Sequence, residues 1–144
     1  MAAINTGKVV VGGLAAGLVM NVIDFVANMY VLQNTMKADF DKLNPSLWAA
    51  MNSTSAMIGF VAIDFILGIL LVWLYAAIRP RFGAGAGTAV KAGLYFWVFG
   101  GVIWYSFVLL GMFSTTSFVM AACVSLVNLL ASAWVGGMLY KEAA

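Results

Sequence analysis

Residues 92–140 read AGLYFWVFGGVIWYSFVLLGMFSTTSFVMAACVSLVNLLASAWVGGMLY, without one charged side chain. A helix needs about 20 apolar residues to cross a bilayer. This run holds more than twice that, so it must be two helices and a turn. Its one polar cluster, Gly111-Met112-Phe113-Ser114-Thr115-Thr116-Ser117, marks the turn. Working outward, Val9–Leu32 and Ser53–Ile78 are two further apolar stretches, each broken by a single charge, Asp24 and Asp64. The expected fold is all-α: an integral membrane four-helix bundle of antiparallel up-down topology. Its helices should lie at about 8–32, 54–79, 88–112 and 115–140, in one transmembrane domain over 1–144.

Composition agrees. The chain is 65% hydrophobic and 8% charged, whereas a soluble domain carries about 25% charged residues. Such a chain cannot cover a water-facing surface, so the lipid bilayer is its first partner. The four spans leave no room here for a soluble catalytic domain, and no nucleophile and base stand in register, so no enzyme is expected. Nucleic acid is excluded as a partner, because that needs Lys and Arg clustered on a solvated face. The chain has no histidine, and its one cysteine, Cys123, lies inside an apolar run. Neither a metal nor any other cofactor is expected from such a ligand set. The first span is longer than a signal-peptide core, and no small-x-small cleavage site follows it, so it is read as retained.

Lys and Arg near the helix ends set the orientation. Lys8, Arg79, Arg81, Lys91 and Lys141 fall on one side, and only Lys37 and Lys42 on the other. The first side is expected to be cytoplasmic, with both termini there. Asp39 and Asp41 leave the outer loop, 33–53, locally neutral. Within it Asn44 and Pro45 read as the start of a short interfacial helix near 45–51, anchored by Trp48. Asn52-Ser53-Thr54 matches a glycosylation sequon but reads as the cap of the second span. On the cytoplasmic side Pro80 is expected to end that span at Arg79. Gly83, Gly85 and Gly87 then read as a turn, because the spacing of a phosphate-binding loop is absent.

Gly13-Leu14 with Val22-Ile23-Asp24-Phe25 echoes Gly93-Leu94 with Val102-Ile103-Trp104-Tyr105 at the same spacing. The echo suggests a duplicated helical hairpin, a pattern found in some transporters.

Gly13, Gly17, Asn21, Asp24 and Asn28 recur every three or four residues and so form one stripe of the first helix. An Asp facing lipid near the bilayer centre costs about 3 kcal/mol or more, so the stripe must face protein. Met57, Phe60, Asp64, Gly68, Leu71 and Tyr75 align on the second helix, and Ser117, Ala121, Ser125, Asn128, Ser132 and Gly136 on the fourth. Asp24, Asp64, Ser125 and Trp104 fall at one depth. The candidate site is thus Asp24 and Asp64 with Asn21, Asn28, Ser125 and Asn128, roofed by Trp104 and Tyr105.

No Lys or Arg lies at that depth, so two ionised carboxyls would be uncompensated. A proton- or cation-coupled carrier follows, since intramembrane carboxyls mark ion pathways. Four helices make a narrow path, so transport would call for a homodimer. The other reading is a structural or accessory subunit of a larger membrane complex, with the carboxyls as interhelical hydrogen-bond glue.

The segment Trp73-Leu74-Tyr75-Ala76-Ala77-Ile78-Arg79-Pro80-Arg81-Phe82-Gly83, the glycine-rich opening of helix one and Leu139-Tyr140-Lys141-Glu142 together resemble uncharacterised small bacterial membrane proteins of four predicted spans. The resemblance covers nearly the whole chain. It implies a bacterial inner-membrane location and assigns no functional residue.

Overall fold

The computed structural model describes residues 3–141. Glu142, the last residue of the closing motif above, lies outside them. Of the described residues 88% are helical and none is in a strand. The elements are α1 (Thr6–Ala27), a π-helical turn (Asn28–Leu32), α2 (Gln33–Leu43), α3 (Ser46–Met51), α4 (Thr54–Phe82), α5 (Ala86–Leu109) and α6 (Thr115–Leu139). Four helices are long and apolar enough to cross a membrane: Thr6–Leu43, Thr54–Phe82, Ala86–Leu109 and Thr115–Leu139.

Two expectations are corrected. The first helix does not stop near residue 32. It passes through the π-turn and runs on to Leu43, so most of the expected outer loop, 33–53, is helical. Between Gly17 and Pro45 the sequence holds neither Gly nor Pro, so nothing breaks the helix. Pro80 does not end α4 at Arg79 either. Proline lacks an N–H to bond backward and crowds the preceding turn, but this one lies two residues from the helix end, and the helix continues to Phe82. It stops at Gly83, which takes φ 84° and donates its N–H to the Arg79 carbonyl at 2.8 Å. The left-handed backbone there favours glycine.

The shorter elements are set by their caps. The short helix is Ser46–Met51, and the Asn44 Oδ1 accepts the Ser46 N–H at 3.0 Å. Ser53 caps α4 by accepting the Ala56 N–H at 3.3 Å, and Ser114 caps α6 by accepting that of Ser117 at 3.2 Å. The α5–α6 reversal falls between Leu109 and Thr115, with Gly111 at φ 74°.

The helices pack in the cyclic order α1, α4, α5, α6, and α1 does not touch α5. Neighbours are antiparallel. Gly13 and Gly17 of α1 meet Ile69 and Phe65 of α4, so the numbers run in opposite senses. Gly12 of α1 meets Gly136 of α6, and Gly93 of α5 meets Leu129 of α6. These are backbone-to-backbone approaches. A Cβ on Gly17 would sit 2.7 Å from the Phe65 Cα, and one on Gly12 would sit 2.6 Å from the Gly136 oxygen. Small residues carry membrane helix contacts because lipid tails leave close van der Waals packing as the main attraction.

Every buried residue of α4 lies between Gly68 and Ala76, and every buried residue of α5 between Thr88 and Gly93. The bundle is therefore tightest at the end that carries Lys8, Arg79, Arg81 and Lys91, here the basic end. Val9, Leu71, Val72, Tyr75, Ala92 and Tyr140 form its core. Beyond Gly68 and Gly93, α4 and α5 bury none of their residues.

At the far end α2 leans across the α5–α6 turn. Phe40 meets the Phe113 ring edge-on at 5.7 Å, and Phe113 meets Trp104 at 6.1 Å. Trp48, expected as a headgroup anchor, also packs on Phe40, at 6.4 Å.

Candidate functional site: the mid-membrane carboxyls

Asp24 lies 18 residues from the start of α1, and Asp64 lies 18 residues before the end of α4. At 1.5 Å per residue both stand about 27 Å from the basic end. Both are half-buried, on facing helices.

Asp24 is held from across the bundle. Asn128 of α6 donates from Nδ2 to the Asp24 Oδ1 at 2.8 Å and reaches the Met20 carbonyl at 3.4 Å. The Asn128 Oδ1 accepts from the Ser132 hydroxyl, one helical turn along, at 3.1 Å. Ser132 is fully buried and Asn128 is 4% exposed. A buried amide must fill its hydrogen-bonding capacity, and this one does, with both hydrogens and its oxygen engaged. Ser132 thereby fixes which edge of Asn128 faces Asp24.

Asp64 differs. Among the described residues its carboxyl has no hydrogen-bond donor. Asn21, on the same face of α1, donates to the Gly17 carbonyl of its own helix at 2.9 Å and to Val61 of α4 at 3.4 Å. It stitches α1 to α4 just beside Asp64 without touching the carboxyl.

The remaining predicted members are not gathered into the site. Asn28 is exposed and donates to the Asp24 backbone carbonyl at 2.8 Å. Ser125 donates to Ala122 of its own helix at 3.1 Å. Trp104 packs edge-on against Phe113 and Phe118, each at 6.1 Å, and Tyr105 packs on Phe118 at 5.2 Å. These rings belong to the far-end aromatic layer. The indole that does bond across helices nearby is Trp97, which donates to the Ala122 carbonyl at 2.8 Å.

One polar residue was missed by the sequence reading. Asp39 is 3% exposed, and its Oδ2 accepts from the Ser114 N–H at 3.0 Å and the Ser114 hydroxyl at 2.9 Å. It caps α6 from a helix 75 positions away in sequence. The uninterrupted helix before Pro45 was the available signal. It would have turned a neutral loop into a rod with a buried face.

Replacing Asn128 with leucine is expected to destabilise the bundle by about 1–2 kcal/mol, near the top of the range for membrane interhelical hydrogen bonds. Ser132→Ala should cost less, because Asp24 keeps its donor. Unfolding titrations in mixed micelles would check both. Equal costs would mean that Ser132 does more than orient the amide.

Comparison with family models, with curated proteins and with solved structures finds no match to this chain.

Proposed function

We propose that the protein is a small carrier of the bacterial inner membrane, with both termini cytoplasmic, and that it binds a proton or cation at Asp24 and Asp64. One observation carries this reading. Two carboxyls stand at the same level on facing helices, inside spans that hold no Lys or Arg at that depth. Bringing two negative charges into a low dielectric is costly unless a proton or cation offsets them. Asp64 is the exchanging member, since it has no donor among the described residues, and Asp24 is the positioned one. No reaction chemistry is assigned to these groups. A homodimer would supply the wider path that four helices lack.

The Asn128 bond favours a second reading for Asp24. A carboxyl held by an oriented amide also serves as glue, as an accessory subunit of a larger membrane complex would use it.

The test compares Asp24→Asn, Asp64→Asn and the double variant in liposomes loaded with a pH-sensitive dye, under imposed proton and sodium gradients. Asparagine keeps size and hydrogen bonding but does not titrate. The expected result is that the parent dissipates one of the gradients and that Asp64→Asn falls to the rate of empty liposomes. Retained flux in the double variant, with folding intact, would remove the carrier reading. Loss of stability with Asp24→Asn alone would favour glue at that position.

A further inference from the structure

Five cations gather at the basic end: Lys8 opens α1, Arg79 and Arg81 close α4, Lys91 lies in the second turn of α5, and Lys141 follows α6. Among the described residues no Asp or Glu lies at this end. At the far end Lys37 pairs with Asp41 and Lys42 with Asp39. Among the described residues, charge is therefore balanced at one end and unbalanced at the other.

Two of the cations are held in place by aromatic faces. The Lys91 ammonium sits 4.6 Å from the centre of the Phe82 ring, and the Arg79 guanidinium 5.5 Å from that of Tyr140. Tyr140 is itself fixed, edge-on to Tyr75 at 6.0 Å, with its hydroxyl accepting the Asn5 N–H at 3.3 Å. The Lys91 ammonium over its ring keeps its charge while losing freedom. Ordering it around an anion then costs less entropy. Phe82 is 42% exposed, and Arg81 beside it is exposed as well. Phe82 and Lys91 thus form an open, ring-backed cationic seat, and Arg81 adds an exposed charge one residue before Phe82.

We propose that this end binds anionic phospholipid headgroups, with Lys91 over Phe82 as the seat and Arg81 as a second charge at the same end of α4. The charge is complementary, the level is that of the headgroup layer, and the apolar flanks of α4 and α5 offer the acyl chains a continuous surface. A basic patch at the end of membrane helices is a recurrent means of holding such lipids. The inference stands independently of what the mid-membrane carboxyls do.

The full chain, purified in mild detergent, would be titrated with phosphatidylglycerol or phosphatidylcholine and its bound lipid counted by native mass spectrometry. The parent should retain phosphatidylglycerol preferentially, and added salt should weaken that preference. Removing one cation, as in Arg81→Gln or Lys91→Gln, should weaken retention about fivefold, and removing both about 25-fold. Lys37→Gln with Lys42→Gln should leave it unchanged. Charge-keeping Arg81→Lys with Lys91→Arg should keep most of it, and guards against a loss that merely reports misfolding. Equal retention of the two lipids by the parent overturns the proposal, as does full retention by the double Gln variant. Displacement of the lipid by inorganic phosphate beyond that by sodium chloride of equal ionic strength overturns it too, since the site would then be one for soluble phosphate.

Discussion

Gly68→Val is expected to destabilise the protein by about 3 kcal/mol or more, enough to separate α1 from α4. The reason is geometric. A Cβ on Gly68 would stand 2.5 Å from the Gly17 nitrogen and 2.9 Å from its Cα, and closer still to the Gly13 carbonyl. All three are backbone atoms that no rotamer change can move. Either the helices part or the crossing slides, and both undo the contacts of Gly13 with Ile69 and of Gly17 with Phe65. Gly68→Ala meets the same atoms with one methyl and should cost about 1–3 kcal/mol. Gly59→Ala on the same helix is the control. Nothing lies within 4 Å of its Cβ, so it should be neutral or gain up to about 1 kcal/mol from helix propensity. Reversible unfolding in mixed micelles would rank the three. A Gly68→Val protein as stable as its parent would mean that the close α1–α4 crossing is wrong.

The second large effect is expected at Asp39. Its Oδ2 receives the backbone N–H and the hydroxyl of Ser114, and it sits at the positive end of the α6 dipole. Hydrogen bonds to a charged group contribute about 1.5–3 kcal/mol each, and a cap about 1 kcal/mol. Asp39→Ala should therefore cost about 2–4 kcal/mol, since water can reach part of the freed helix end. Asp39→Asn, which keeps one acceptor but loses the charge, should cost about half as much. Paired with Ser114→Ala, the Asp39→Ala loss should be clearly non-additive, by about 1–2 kcal/mol. Additive losses would show that the two side chains do not act together.

These residues also mark how far a sequence can be read. The spans were legible because charge-free length leaves few alternatives, and the helix faces because glycines and polar residues recur every three or four positions. That pattern placed Gly13, Gly17, Gly68 and Gly136 at contacts, and put Asn128 and Ser132 on the stripe that meets Asp24. It could not rank polar residues within a stripe. Ser125, Asn28 and Asn128 look alike in sequence, yet a helix carbonyl within reach of its own side chain satisfies the first two locally. Trp104 shared the depth of the carboxyls but lay on α5, the helix that never meets α1. Asp39 was hidden for a different reason. Its neighbours are charged, its partner lies across the bundle, and a polar stretch beyond a membrane span looks the same whether coiled or helical.

The π-turn at Asn28–Leu32 has a consequence in phase. A π-turn takes up one residue more than an α-turn, so everything after it is rotated by about 100° relative to an unbroken α-helix. That angle is what brings Asp39 and Phe40 over the α5–α6 turn. Winding the same residues as regular α-helix would swing α2 back through that angle, whereas deleting one residue from 28–32 would restore regular winding and leave α2 in its present phase. In the first case the chemistry of every side chain would be intact, yet Asp39 would be carried away from Ser114. In this segment the winding of the residues matters more than their identity, and the π-turn is what keeps the two ends of a 38-residue rod addressed to different partners.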